Sequence, residues 1–245
     1  MRNYLKTELN DLGQTVGQKL QFTQPVQYEA TVLEGDAVRL LPLNPTVLNE
    51  QNIQALWAAV CAEPDPSCWT YLPYDAFLSE AELIQTLAQH FNFPGSVHYL
   101  VEVNGRCCGW IALLNIRKDS QALEIGNVYF SQKMKRSRAS TEVLYLLLQS
   151  CFQQGFRRVE WKCDNLNEPS KRAALRFGFQ YEGLFRQDRI SKGRNRNTAW
   201  FSMLDDEWSI LQTAYQSWLK PDNFDENGRQ KSTLDAFAAQ LISTL

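Results

Sequence analysis

The sequence predicts an α/β protein of the α+β type, with one mixed, mostly antiparallel central sheet that contains a parallel pair of strands. Residues 124–163 are typical of a strand, a basic turn, a helix that ends at Gly155, and a second strand. A strand–helix–strand unit favours parallel pairing with a right-handed crossover. Asn104-Gly105 joins two apolar runs, which is a strong hairpin signal. A basic turn at residues 191–197 (SKGRNRN) joins a second candidate hairpin.

The N-terminal part of the chain precedes this sheet. Residues 1–35 are polar and lack a sustained period, so we interpret them as an arm that either wraps the domain or frays. We therefore expect a protein without residues 1–30 to remain soluble. Residues 38–43 predict a strand, and an amphipathic helix follows Pro45. Its inward side chains are predicted to be Ile53, Leu56, Trp57, Val60 and Cys61.

Residues 64–78 hold three prolines and several aromatic side chains without a helical period. They form either a lid over the core or one wall of an acceptor pocket, and the sequence favours neither. Ser79 and Glu82 then have the spacing of a capping box, which begins a second helix.

The second half of the chain continues the pattern of strands and helices. Apolar and charged residues alternate over 158–163, as in a strand with one covered face. Asn167 is placed to cap a short helix over 168–177, and two strands follow near 179–190 and 198–204. The tail, residues 207–245, has two helical patterns and is either an appended helical cover of the domain or an element of a homodimer. We divide the chain into an arm (1–35), a main domain (36–208) and a helical extension (209–245).

Composition excludes several classes of protein. The net charge of −2 and pI near 5.8 argue against a general surface for nucleic acid or anionic membrane. No apolar run reaches membrane-spanning length and the N-terminus lacks a signal-peptide pattern, so we expect a cytoplasmic protein. The six cysteines do not suggest a secreted disulfide framework, and reduced thiols in the core fit better. No Cys-x-x-Cys pair is present and there are two histidines, so we predict no metal site.

The basic turn before the central helix is the first functional candidate. Lys133, Lys135, Arg136 and Arg138 lie where the unpaired amides and positive dipole end of the helix favour an anion. A phosphate is one candidate ligand. A solvated turn with Ser137 as an ordinary helix cap explains this stretch equally well.

This order of elements resembles the GNAT acetyltransferases, and within them the branch that includes ribosomal-protein N-terminal acetyltransferases. The resemblance covers roughly residues 36–208. It depends on EIG at 124–126, NEPS at 167–170, RFGFQYEG at 176–183 and FSMLDDEW at 201–208, in that order. It implies the GNAT fold, in which the parallel pair is splayed and helices cover both faces of the sheet.

The resemblance also implies a reaction, in which an acetyl group moves from acetyl-coenzyme A (acetyl-CoA) to a primary amine on a protein N-terminus or a small molecule. Glu124 would be the general base, directly or through a water, and Ser170 would protonate the leaving thiolate. The amide of Val128 would donate to the oxyanion. The residues implied to bind the coenzyme are Val128 and Phe130 beside the pantetheine arm, Asn167, and the backbone of Arg136, Ser137, Arg138, Ala139 and Ser140 around the pyrophosphate.

Two departures from the family pattern leave alternatives open. The turn at 135–140 contains no glycine, and Arg138 occupies the position of the first one. Its side chain either obstructs the turn or points outward to pair with a coenzyme phosphate. One extra residue also lies between Gly126 and Ser131, so either a bulge absorbs it or Glu124 faces the other side of the sheet. The alternative function is a coenzyme-binding or protein-interaction module without turnover.

Overall fold

The strands and helices of the computed structural model follow the predicted order. The structure describes residues 6–89, 91 and 93–243. The strands are β1 (Thr7–Leu9), β2 (Thr15–Gly17), β3 (Leu33–Glu34), β4 (Val38–Pro42), β5 (Val97–Val103), β6 (Arg106–Arg117), β7 (Ala122–Phe130), β8 (Arg158–Asp164), β9 (Gln180–Ser191) and β10 (Arg194–Leu204). The helices are α1 (Glu50–Cys61), α2 (Glu80–Gln89), α3 (Arg138–Gln153), α4 (Glu168–Arg176), α5 (Asp205–Trp218) and α6 (Leu234–Ser243), with short 3₁₀ turns at Pro66–Trp69 and Pro221–Asn223.

Eight of the strands form the central sheet, in the order β3-β4-β5-β6-β7-β8-β10-β9. Every neighbouring pair is antiparallel except β7 and β8, which are parallel and joined through α3. This arrangement confirms the predicted fold class. Both hairpins are also present. Their turns, Asn104-Gly105 and Lys192-Gly193, have positive φ at both residues, which is the backbone that suits a two-residue hairpin.

Helices cover both faces of the sheet. Successive residues of a strand point to opposite faces, so one strand contributes side chains to the cores on both sides. On β5, Tyr99 and Val101 pack in the core that contains α3, α5 and α6. Leu100 between them packs in the second core, with α1 and α2. In α1 the inward face is formed by Leu56 and Val60, whereas Cys61, predicted to point inward, is exposed. All six cysteines are free thiols.

From residue 22 onward the arm packs against the domain rather than fraying, and its residues 1–5 lie outside the described part of the chain. The hydroxyl of Tyr28 lies 2.9 Å from the hydroxyls of both Tyr99 and Ser150, in a buried position. The side chain of Gln121 donates to the backbone oxygen of Gln24 at 2.8 Å. Residues 22–35 are therefore part of the fold, and the expectation that residues 1–30 can be removed loses its premise. The β1–β2 hairpin before them is exposed.

The C-terminal helices share the core of the main domain. The predicted division after Trp208 falls inside α5. Trp208, before that point, and Tyr215 and Trp218, after it, are all buried in the core that contains α3. Among the described residues, no helix is long and apolar enough to cross a membrane.

Candidate active site

A cleft opens where β7 and β8 separate. The last paired residues of the two strands are Ile125 and Trp161, although both strands continue beyond that point. The cleft has a volume of about 1680 Å³. Val128 and Phe130 line it on the β7 side, and Asp164 lines it on the β8 side. The predicted splayed parallel pair is therefore present, and it forms the walls of the site.

A β-bulge in β7 absorbs the extra residue. Trp110 pairs with Tyr129 and Ala112 pairs with Gly126, so one residue of β6 faces both Asn127 and Val128. Asn127 has a φ of 46°, and its side-chain oxygen accepts from the hydroxyl of Tyr74 at 2.7 Å. Because a bulge takes a residue out of the hydrogen-bond ladder, this segment can turn a backbone amide towards a ligand.

Glu124 lies on the cleft side of β7 and is 8% exposed. Its Oε2 accepts from the side-chain amide of Asn115 at 2.6 Å and lies 3.0 Å from the ammonium of Lys162. Its Oε1 lies over Gly126, where a Cβ would come within 3.4 Å of it and within 2.7 Å of Leu114. Lys162 and Asn115 thus hold one carboxylate oxygen, while the other faces the start of the bulge.

The charged face of β8 is covered, which corrects the expectation that one face of this strand is open. The ammonium of Lys162 lies 3.8 Å from the ring centroid of Trp200 and 3.1 Å from a carboxylate oxygen of Glu160. Burial of Glu160 opposes its charge, but hydrogen bonds from Arg158 and Arg117 outweigh this effect and lower the pKa of its carboxyl group. Glu124 is therefore held by a network of paired charges that runs through Lys162 to Glu160 on β8.

The helix α3 begins at the cleft. Ser137 caps it by accepting from the amide of Ser140 at 3.3 Å, which is one of the alternatives that the sequence left open. The positive φ of the turn falls on Arg136, at 62°, and not on Arg138, which is the first residue of α3. The backbone at position 138 is helical, so the absence of glycine there causes no strain. The guanidinium of Arg138 pairs with Asp36 at 2.7 Å.

The other cations of the turn have different environments. Lys135 forms an ion pair with the buried carboxylate of Glu63 at 2.8 Å. Lys133 is exposed and does not line the cleft. Among the described residues, no carboxylate lies within ion-pair distance of Arg136.

Asn167 and Ser170 face the cleft from the start of α4. The side-chain oxygen of Asn167 accepts from the amide of Ser170 at 3.1 Å, so its predicted cap role is confirmed. The indole N–H of Trp161 donates to the hydroxyl oxygen of Ser170 at 3.0 Å. This bond occupies an acceptor position of the hydroxyl, which is also in hydrogen-bond contact with the thiol of Cys163.

Residues 64–78 divide between the second core and the lining of the cleft. Trp69 and Phe77 are buried in the second core, whereas Tyr71 and Tyr74 line the cleft. The hydroxyl of Tyr71 reaches the backbone oxygen of Leu166 at 3.1 Å. The ammonium of Lys192, in the β9–β10 turn, also donates to the backbone oxygens of Trp69 and Tyr74.

Nearly all of the predicted site residues line this cleft. They are Glu124, Val128, Phe130, Arg136, Ser137, Arg138, Ser140, Asn167 and Ser170. The side chain of Ala139 instead packs against the core, which leaves its backbone amide as the predicted contact. Sequence reasoning missed Asn127, Lys162, Arg172, Arg176 and Arg229, and it included Tyr74 only within the possible pocket wall at 64–78. The one available signal was the extra residue in the EIGNVYF stretch, which marks the bulge at Asn127.

The charge of the cleft differs from that of the whole chain. Of the residues that the structure describes, two carboxylates line it, Glu124 and Asp164. The basic side chains that line it are Lys135, Arg136, Arg138, Lys162, Arg172, Arg176, Arg189, Lys192, Arg196 and Arg229. In a chain with a net charge of −2, this excess marks the cleft as a site for a polyanion. Within the described residues there is no group of three or more potential metal ligands.

Comparisons with known proteins agree with this geometry. Residues 56–179 match the Acetyltransferase (GNAT) family. A GCN5-related N-acetyltransferase from Brucella melitensis is 40% identical, with a TM-score of 0.84, and the match covers 90% of this chain and 100% of that one. A protein described as a probable GNAT-family acetyltransferase from Chromobacterium violaceum is 36% identical over 79% of this chain and 96% of its own, with a TM-score of 0.71.

An acetyltransferase from Salmonella typhimurium that modifies the N-terminal serine of ribosomal protein L7/L12 has the same fold. It is 17% identical, with a TM-score of 0.58, over 71% of this chain and 99% of its own. Comparison with curated proteins gave no significant match. The family match over half of the chain and the two relatives above 30% identity give the same result, and the chain belongs to the GNAT family of acetyltransferases.

Proposed function

We propose that this acetyltransferase moves an acetyl group from acetyl-CoA to a primary amine, by direct attack of the amine on the thioester. The observation that supports this proposal is the position of the cleft. It lies between the separated ends of β7 and β8, leads to the start of α3, and has ten basic and two acidic side chains in its lining. Coenzyme A carries a pyrophosphate and a 3′-phosphate, which such a surface would attract.

The start of α3 would hold the pyrophosphate. The first amides of a helix have no partner within the helix, and Ser137 caps only the amide of Ser140 with its side chain. The amides of Arg138 and Ala139 remain for a ligand, together with the guanidinium of Arg136. The pantetheine arm would extend along Val128 and Phe130, beside Asn167.

The reacting groups would meet at the bulge. The amine nitrogen bonds to the acetyl carbon as the carbon–sulfur bond breaks, and the nitrogen must lose a proton. Glu124 would take that proton through Oε1, directly or through a water, and the contacts of Oε2 with Asn115 and Lys162 support this choice of oxygen. The amide of Val128 would stabilise the oxyanion, and the hydroxyl of Ser170 would give a proton to the leaving thiolate.

The test combines ligand-dependent melting with release of free thiol in the presence of amines. Binding of acetyl-CoA to the native state alone stabilises it by about 2.7 kcal/mol at a hundredfold excess over Kd, so the melting temperature should rise. Thiol release should require an amine, and the screen should include N-terminal peptides, amino acids and polyamines. The absence of a shift at millimolar acetyl-CoA would refute the proposal. A shift without thiol release for any amine would favour the binding-module alternative.

A further inference from the structure

Five arginines line the cleft, and two of them are at the first turn of α3: Arg138 begins this helix and Arg176 contacts Thr141 in it. They come from the basic turn (Arg136), from α3 (Arg138), from α4 (Arg172 and Arg176) and from the loop between α5 and α6 (Arg229). In the described part of the chain, Arg138 is the one member of this group that has a carboxylate within ion-pair distance. Like charges that converge without counter-charges destabilise a fold, so this arrangement favours a bound anion.

The two arginines of α4 are an example of such like charges. Arg172 and Arg176 are four residues apart on one helical face, where like charges repel. The guanidinium of Arg176 lies 5.1 Å from the ring of Phe177 and 5.4 Å from the ring of Trp218, and it donates to the hydroxyl of Thr141 at 2.7 Å. Partial burial lowers the pKa of Arg176. The helix therefore presents two cations to the cleft at the start of α3.

The loop at residues 219–232, here called the C-terminal loop, is held beside this group by several hydrogen bonds. The side-chain amide of the buried Asn223 donates to the backbone oxygens of Trp218 and Ser232, and its oxygen accepts from the amide of Ser232. The indole N–H of Trp218 donates to the side chain of Gln230 at 2.8 Å. Gln230, which directly follows Arg229, is therefore bound to Trp218, and the ring of Trp218 packs on Arg176.

The same loop also contacts α3, because the ring of Phe224 lies 5.9 Å from the guanidinium of Arg138. The backbone amide of Arg229 is bound by the side chain of Asp225 at 2.8 Å. The side chain of Arg229 lines the cleft and has no carboxylate partner among the described residues. The loop is thus ordered in advance for contact with a ligand in the cleft, which lowers the entropy cost of binding.

We propose that the C-terminal loop is the end wall of the coenzyme site, and that Arg229 and Arg172 bind the 3′-phosphate of coenzyme A. This inference rests on the proposed function. The pyrophosphate engages the amides of α3 and Arg136, so a second phosphate group on the same ligand needs its own cations. A phosphomonoester carries close to two negative charges and three acceptor oxygens, which match two guanidinium groups. The enzyme should therefore discriminate coenzyme A from dephospho-coenzyme A, which lacks this phosphate.

Calorimetric titration of the full-length protein with both ligands tests the inference. The wild-type protein should bind coenzyme A about tenfold to a hundredfold more tightly than dephospho-coenzyme A. Arg229→Ala should lose about tenfold in affinity for coenzyme A and retain its affinity for dephospho-coenzyme A. Arg172→Ala should behave in the same way. Lys231→Ala is the matched control, since it removes a cation two residues away that does not line the cleft.

Each outcome has a distinct meaning. Equal wild-type affinity for the two ligands would overturn the inference while leaving the proposed function intact. Unchanged discrimination in Arg229→Ala would also overturn it. A wild-type protein that binds neither ligand would instead refute the proposed function. Melting curves of the unliganded variants exclude misfolding, and equal losses for both ligands would count against the specific role of Arg229.

Discussion

Substitution of Glu124 by Gln separates a catalytic role for this carboxylate from a structural one. The amide side chain has nearly the same shape, and its oxygen can occupy the position of Oε2 between Asn115 and Lys162. It cannot accept the amine proton. A positioned general base contributes about 10² to 10⁴ in rate, which corresponds to about 2.7 to 5.4 kcal/mol of barrier. We therefore expect kcat to fall by that factor, with little change in the KM for acetyl-CoA.

The cost to stability should be smaller than the effect on the barrier. The variant loses one charge in contact with Lys162, and a hydrogen bond to a charged group contributes about 1.5 to 3 kcal/mol. The matched control is Glu160→Gln. Glu160 also contacts Lys162 but does not line the cleft, and it accepts further bonds from Arg117 and Arg158. This control should lose at least as much stability, whereas its kcat should stay within about tenfold of the wild type.

Steady-state thiol release measures kcat and both KM values, and thermal unfolding measures stability. If Glu124→Gln keeps a kcat within about threefold of the wild type, Glu124 is not the base. If the two variants lose activity equally, the loss arises from damage to the shared charge network.

Three further predictions concern the arm, an internal histidine and the turn before α3. Removal of residues 1–20 should leave the melting temperature nearly unchanged, whereas removal of residues 1–30 deletes the buried tyrosine and should cost about 3 to 5 kcal/mol in chemical denaturation. Burial lowers the pKa of His98 to about 4, so the neutral side chain contributes fully to the free energy of unfolding above pH 6.5. This contribution is lost as the pH falls towards 4, and at pH 5 the loss is about 2 kcal/mol. Denaturation of the wild type and of His98→Gln at pH 7 and pH 5 checks this difference. Arg138→Ala should weaken coenzyme A binding by about 1.5 to 3 kcal/mol if its guanidinium exchanges Asp36 for phosphate, and titration that shows no change would exclude that exchange.

The features that were predicted correctly depend on residues that are close together in the sequence. The hairpin at Asn104-Gly105 and the caps at Ser137 and Asn167 are set by local backbone geometry, and a single stretch of sequence carries each of them. The bulge in β7 was also visible, because one additional residue changes the spacing of a strand. The predicted coenzyme residues follow the same elements, and for this reason nearly all of them line one cleft.

The features that sequence reasoning missed are contacts between distant segments. The alternation over β8 identifies Lys162 as lying on the charged face, but it does not reveal that Trp200 and Glu124 cover this face. Tyr28 is a single aromatic residue without a period, so its place in the core depends on hydroxyl groups that are 71 and 122 residues away. In the same way, Arg229 reaches the cleft only because α5 brings its loop back to α4.

The charge distribution bears on the proposed binding of a polyanion by an acidic protein. All but two of the 27 acidic residues lie outside the cleft, whereas ten of the 25 lysines and arginines line it. A low-dielectric cleft with charges of one sign focuses its field, so a ligand with several phosphate charges is attracted to this entrance while the remaining surface repels it. Because part of this attraction acts through solvent, the affinity for coenzyme A should fall as salt shortens the screening length from about 30 Å at 0.01 M to about 8 Å at 0.15 M.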